Sequence, residues 1–178
     1  MKKFFDILYS TRLTAILFIA FSIAMGVATF IENDYGTQTA KALVYNAWWF
    51  EAIMAFFIVN FFGNIFRYRL LRKEKWPVLL FHVSFLLILI GAGVTRYVGY
   101  EGLMLINEGE TTHKFLSETT YVNLVVDNNE EQKTFHKSTL FSAKGTNTWS
   151  LENDFREQEF SVKLAEYIPW AEEKFFEN

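Results

Sequence analysis

Three polar side chains interrupt otherwise apolar stretches and could do chemistry there: His82, Asn60 and Asn64. An ionisable group at the centre of a hydrocarbon layer costs roughly 3 kcal/mol or more, so its presence marks function by default. His82 follows Trp76 by six residues, which is ~9 Å along a helix. Asn60 precedes Phe66 by six. On adjacent antiparallel helices the two would lie at similar depth. A neutral imidazole can bind haem iron through one ring nitrogen while the other donates a hydrogen bond that fixes the tautomer. Asn60 is expected to accept that bond through its carbonyl oxygen. The alternative reading makes His82 a plain hydrogen bond between helices.

The remaining candidates are weaker. Glu51 opens a helical stretch and reads as a solvated or dipole-stabilised carboxylate rather than a proton relay. Arg96 reads as an anchor at the end of a helix. His113 and His136 show no ligand spacing and read as surface residues. No nucleophile elbow, Gly-rich phosphate loop or paired-carboxylate pattern is present, so no catalytic residue is assigned. The absence of cysteine excludes disulfides, thiol redox chemistry, thiolate ligands and covalent attachment of haem to this chain.

The elements that must position these residues follow from apolar run length. Residues 13–31, 48–66 and 76–95 each suffice to cross ~30 Å of hydrocarbon as a helix. The first run begins after Lys2, Lys3 and Arg12, as a secretory signal peptide would. It exceeds the ~7–15 residues of a signal core and lacks a small-x-small cleavage site, which favours a retained helix. Arg67, Arg69, Arg72, Lys73 and Lys75 crowd the link between the second and third runs. Short basic loops stay in the cytoplasm, so the amino end and this link are expected inside. The loop 32–46 and everything after Arg96 are then expected outside. Trp48, Trp49, Trp76, Tyr97 and Tyr100 fall at the run ends, where amphipathic rings favour the headgroup layer. Lys2 to Tyr9 reads as a stretch lying flat on the inner surface. Ser22 with Gly26, Ala24 with Ala28, and Gly91 with Gly93 are candidate helix contacts.

From residue 99 onward the composition changes. Fifteen acidic side chains face seven basic ones there, a net −8 against +5 for the rest, which argues against a nucleic-acid partner. Residues 102–107, 121–127 and 160–167 read as strands, with Phe160, Val162 and Leu164 on one face. Asn128-Asn129 and Lys144-Gly145 read as turns. The expected fold is therefore a membrane all-α region over 1–98, with three transmembrane helices, followed by a small β-rich extracytoplasmic domain over 99–178. That domain has few large apolar residues and is expected to need more chain or a partner to complete its core.

Laid out in this order, the residues resemble the amino-terminal part of ResB-like cytochrome c biogenesis proteins, also called CcsB, of the system II pathway. Ser10–Ile16 (STRLTAI) opens the first helix. An aromatic-rich start at 45–50 leads to Asn60 and Asn64. After the basic loop comes WPVLLFHVSFLLILIGAGVTR over 76–96, and then GLMLINEGE over 102–110. The resemblance covers roughly residues 8–110.

It implies a subunit that, with a CcsA-type partner or a fused CcsA half, moves haem to the outer face and supports its attachment to apocytochrome c. His82 matches an axial ligand of a non-covalent haem b shared with that partner. The implied setting is the bacterial inner membrane with the carboxyl-terminal domain on the periplasmic side. Thiol-reducing proteins join the expected partners, and any catalysis would belong to a holocytochrome c synthase complex. The family usually returns through the membrane in a further helix. Its absence by Asn178 implies a fragment or the amino end of a fused protein. Two other readings stand beside this one: a membrane-anchored scaffold or sensor with a protein-binding outer domain, and an ion or proton conduit through Asn60, Asn64 and His82.

Overall fold

The computed structural model describes residues 2–128 and 130–171. Helix α1 spans Lys2–Leu8, α2 Thr11–Tyr35, α3 Thr37–Ala40, α4 Trp48–Arg67 and α5 Trp76–Val98. A π-helical turn, Lys41–Tyr45, follows α3, and a 3-10 turn, Lys73–Lys75, precedes α5. Among the described residues, α2, α4 and α5 with its preceding turn are long and apolar enough to cross a membrane. Pro77 opens α5, where its missing N–H costs nothing. Gly99, in extended conformation, closes it.

The chain divides into two compact units. The first takes in the residues up to Ile31 and Leu43–Tyr100. The second takes in Glu32–Ala42 and the described residues from Glu101 onward.

Aromatic rings hold the first unit together. Phe61 of α4 and Phe85 of α5 stack with centroids 4.4 Å apart, and Phe18 of α2 meets Phe57 of α4 edge-on at 4.9 Å. Each such pair adds about 0.5–1.5 kcal/mol beyond its buried area. A second cluster sets Ala24 and Ala28, fully buried on α2, against Val44 and Phe50. Of the small residues singled out above, this alanine pair makes the contact, whereas Gly26, Gly91 and Gly93 face open space. The closest approach falls instead at Gly63, where a Cβ would overlap the ring of Tyr9. With Arg67 donating to the Asp6 carbonyl, that contact seats α1 on α4. Phe4 and Phe5 of α1 stay exposed.

The second unit carries three antiparallel two-stranded sheets: β1 Gly102–Leu103 with β2 Leu116–Ser117, β3 Thr120–Asp127 with β4 Gln132–Thr139, and β5 Ser150–Phe155 with β6 Gln158–Lys163. Phe135 and Phe160 pack edge-on at 5.4 Å between the two longer hairpins, and Arg156 pairs with Glu130 and Glu131 across them. Residues 104–107, expected to continue a strand, are unpaired, and Met104, Leu105 and Ile106 are exposed. Phe160, Val162 and Leu164 do share the inward face, although the strand ends at Lys163. Asn128 caps its loop by accepting from the Glu130 and Glu131 amides, while Asn129 lies outside the described residues. The Lys144-Gly145 bend forms as expected, with Gly145 at φ 98°.

The turn between β5 and β6 is the tight two-residue kind, with Arg156 at φ 50° and Glu157 at φ 64°. A side chain in this left-handed region costs about 1 kcal/mol. Glu157→Gly is therefore expected to stabilise the protein by about 1 kcal/mol, read as a raised midpoint in thermal unfolding followed by tryptophan fluorescence.

Segment 32–42 is a working part of this unit. Thr39 is buried, and its hydroxyl accepts from the Ala143 amide at 3.0 Å. Lys41 pairs with Glu101 at 3.1 Å and Glu118 at 3.0 Å. The Lys41 hydrogen bond, helped by Glu118, holds the Glu101 carboxyl below its ordinary 4.5. Burial alone would lower Lys41, but its bonds to Glu118 and Glu101 outweigh that and raise it above 10.5. A lowered acid adds stability that is present above 4.5 and lost as pH falls through its folded value. A raised lysine adds stability that is present below 10.5 and lost as pH rises through its folded value. The cluster should thus stabilise the fold between these limits. Lys41→Met is expected to flatten the acid limb of a melting-temperature profile taken from about pH 7 to about pH 3.

Candidate functional site

His82 lies on the second turn of α5, where it rests on α4. Its ring centroid is 5.1 Å from that of Phe61 and 5.9 Å from that of Phe81. Nδ1 lies 2.8 Å from the Val78 carbonyl oxygen, one turn back on the same helix. A carbonyl oxygen only accepts, so Nδ1 carries the hydrogen. In the neutral ring Nε2 then keeps its lone pair, and no described residue bonds to it. The ring is thus oriented by its own backbone, wedged between phenylalanines, and offers one unshared nitrogen from an apolar, half-buried position.

Such an arrangement suits one axial bond to haem iron, which needs a single imidazole from this chain. It does not suit a closed structural metal site, which takes about four ligands. Among the described residues no group of three or more His, Asp or Glu side chains could hold a metal ion.

The structure gives Asn60 a different place from the one expected. It is fully buried (0 % exposed), and its hydrogen bonds run to residues other than His82. Its Nδ2 donates to the carbonyls of Leu8 (2.6 Å) and Ser10 (3.1 Å). Its Oδ1 accepts from the Thr14 hydroxyl (2.6 Å) and from Asn64 Nδ2 (3.1 Å). Both donors and both acceptor sites are filled, so none is left for the imidazole. Successive helical residues are about 100° apart, and it is Phe61, the next residue, that faces α5. Asn60 therefore joins α4 to α2 and to the α1–α2 link. Asn64 is buried too, and its Oδ1 lacks a partner among the described residues.

At the opposite end of α5, Arg96 donates to the Glu51 carboxylate and to the Tyr45 carbonyl. The Tyr97 hydroxyl donates to the same carboxylate at 2.9 Å. Glu51 and Arg96, expected to act singly, form an ion pair that fixes the start of α4 to the end of α5. Only opposite charge could have suggested that pairing from the sequence. His113 and His136 are exposed and far apart in the chain, with His136 paired opposite Asn123 in the β3–β4 hairpin.

A model of the ResB-like family matches residues 72–165, a span that begins just before α5, includes His82 and ends after β6. The chain is also 39% identical over 131 residues to Protein NrfI of Wolinella succinogenes, an alignment that covers 73% of this chain and 14% of that protein. It spans only about a seventh of that relative's length.

Proposed function

Because this chain belongs to the ResB-like family, we propose that it acts in cytochrome c biogenesis, as the membrane part of an assembly that carries haem to the outer face and supports its attachment to apocytochrome c. The observation that carries the proposal is the His82 imidazole, with its hydrogen on Nδ1 and its Nε2 unshared on an apolar wall. His82 would hold the haem iron through Nε2. A second ligand would come from a CcsA-type partner or a fused CcsA half; no other described histidine belongs to the helical unit.

In this reading α2, α4 and α5 cross the bacterial inner membrane. The basic link 67–75 stays in the cytoplasm and the second unit lies on the periplasmic side. The exposed apolar side chains of α5, among them Leu80, Phe81, Leu87 and Ile88, support a lipid or partner-helix setting. Arg67 and its basic neighbours at the cytoplasmic mouth would attract haem propionates.

The test is a spectrum of the full-length protein co-purified with its membrane partner from haem-replete cells. A Soret band that sharpens on dithionite reduction is expected. A spectrally blank complex would favour a scaffold role and overturn the proposal.

A further inference from the structure

An open cavity of about 560 Å³ lies in the second unit between the end of β4, the start of β5 and the end of β6. Lys137, Lys163, Trp149, Leu140, Leu164 and Asn147 are among the residues that line it. Among the described residues no carboxylate lines it, although the region from residue 99 carries fifteen acidic side chains against seven basic ones. Two ammonium groups without an opposing acid make this a local reversal of charge.

The walls are fixed independently of any ligand. Asn147 exchanges hydrogen bonds with the Ser142 backbone at 2.7 Å in both directions. The Trp149 carbonyl accepts from the Leu164 amide at 2.9 Å. The Lys137 ammonium donates to the Ser150 carbonyl and sits 5.9 Å from the Trp149 ring centroid. Two groups lack a protein partner, one exposed to water and one closed to it. The Lys163 ammonium has no hydrogen-bond or ion-pair partner among the described residues. The Trp149 indole N–H is closed to solvent and also without a partner. A buried N–H left unpaired costs about 1–3 kcal/mol, which an acceptor oxygen would recover.

We propose that this cavity binds an organic carboxylate carried on an apolar or aromatic body. The carboxylate lies between the Lys137 and Lys163 ammonium groups, and the ligand turns the indole so that its N–H, closed to solvent in the free protein, reaches one oxygen. Leu140, Leu164 and the indole face cover the body of the ligand. Size decides against a bare oxyanion, because 560 Å³ lies within the ~300–1,000 Å³ typical of small-molecule sites.

The test uses the full chain in nanodiscs of zwitterionic lipid, with 15N-labelled tryptophan indoles. The Trp149 signal is identified by its loss in Trp149→Phe. Titration with benzoate should displace that signal saturably, with a dissociation constant below about 10 mM. Neutral benzyl alcohol should leave it in place, and inorganic phosphate should bind about tenfold more weakly than benzoate. Lys163→Gln should weaken benzoate about tenfold with the other indole signals unmoved, and Lys163→Arg should retain it. The proposal is overturned by any of three results: no saturable shift with benzoate, phosphate binding as tightly as benzoate, or unchanged affinity in a folded Lys163→Gln protein.

Discussion

Replacing His82 by alanine is expected to cut the haem retained by the purified assembly at least about tenfold, equivalent to about 1.4 kcal/mol of binding. The fold should survive. The ring is only half-buried, and its one hydrogen bond is to its own helix, so removing it strands no other side chain. Phe61 and Phe85 keep their stack without it. What disappears is the unshared Nε2. The gap left beside Phe61 and Phe81 has the size of the lost ring, so millimolar imidazole should enter it and restore the Soret band. His82→Ala that holds haem as well as the wild type, or a loss that imidazole does not repair, would remove His82 from the haem path.

Asn60→Leu should destabilise the helical unit by about 2 kcal/mol without moving the Soret maximum of the protein that remains folded. Four hydrogen bonds meet at this one amide. Its removal leaves the Leu8 carbonyl and Asn64 Nδ2 without this partner, while the Ser10 carbonyl keeps the Thr14 amide and hydroxyl. Hydrogen bonds between membrane helices are worth about 0.6 kcal/mol each on average, and the expected loss is roughly their sum. The measurement is thermal unfolding in detergent paired with a visible spectrum. A displaced Soret band in a variant of undiminished stability would show that Asn60 acts on the imidazole after all.

The contrast between these two residues shows what the sequence could disclose. Chain position gives depth along a helix, so the level of His82 could be read directly, and the neighbour of Asn60 does contact it. Position does not give azimuth when every face of a helix is apolar. Polar matching then decides, and Asn60 found the Leu8 and Ser10 carbonyls where α1 gives way to α2.

Small residues misled for a related reason. Gly91 and Gly93 looked like contact points, but no described atom lies near where their Cβ would sit, whereas at Gly63 the ring of Tyr9 does.

The three long helices were legible because few arrangements except a continuous helix satisfy the backbone of so long an apolar run. They extend past the apolar runs, to Tyr35, Arg67 and Val98. Strands β4 and β5 were not legible. Their sequences, QKTFHKST and SLENDF, are polar with little apolar alternation. Their pairing is set by hairpin geometry, and the β5–β6 turn uses Arg-Glu where an Asn-Gly signal would have exposed it.

The Glu51–Arg96 link has a mechanical consequence. It clamps one tip of α5 by charge, while toward the other tip Phe81, His82 and Phe85 meet Phe61 of α4 through ring contacts. A rod clamped at one tip swings most at the other, and His82 lies fourteen residues from the clamp, a lever arm of ~21 Å. Any angular play at the ion pair would therefore be felt most at the level of the imidazole.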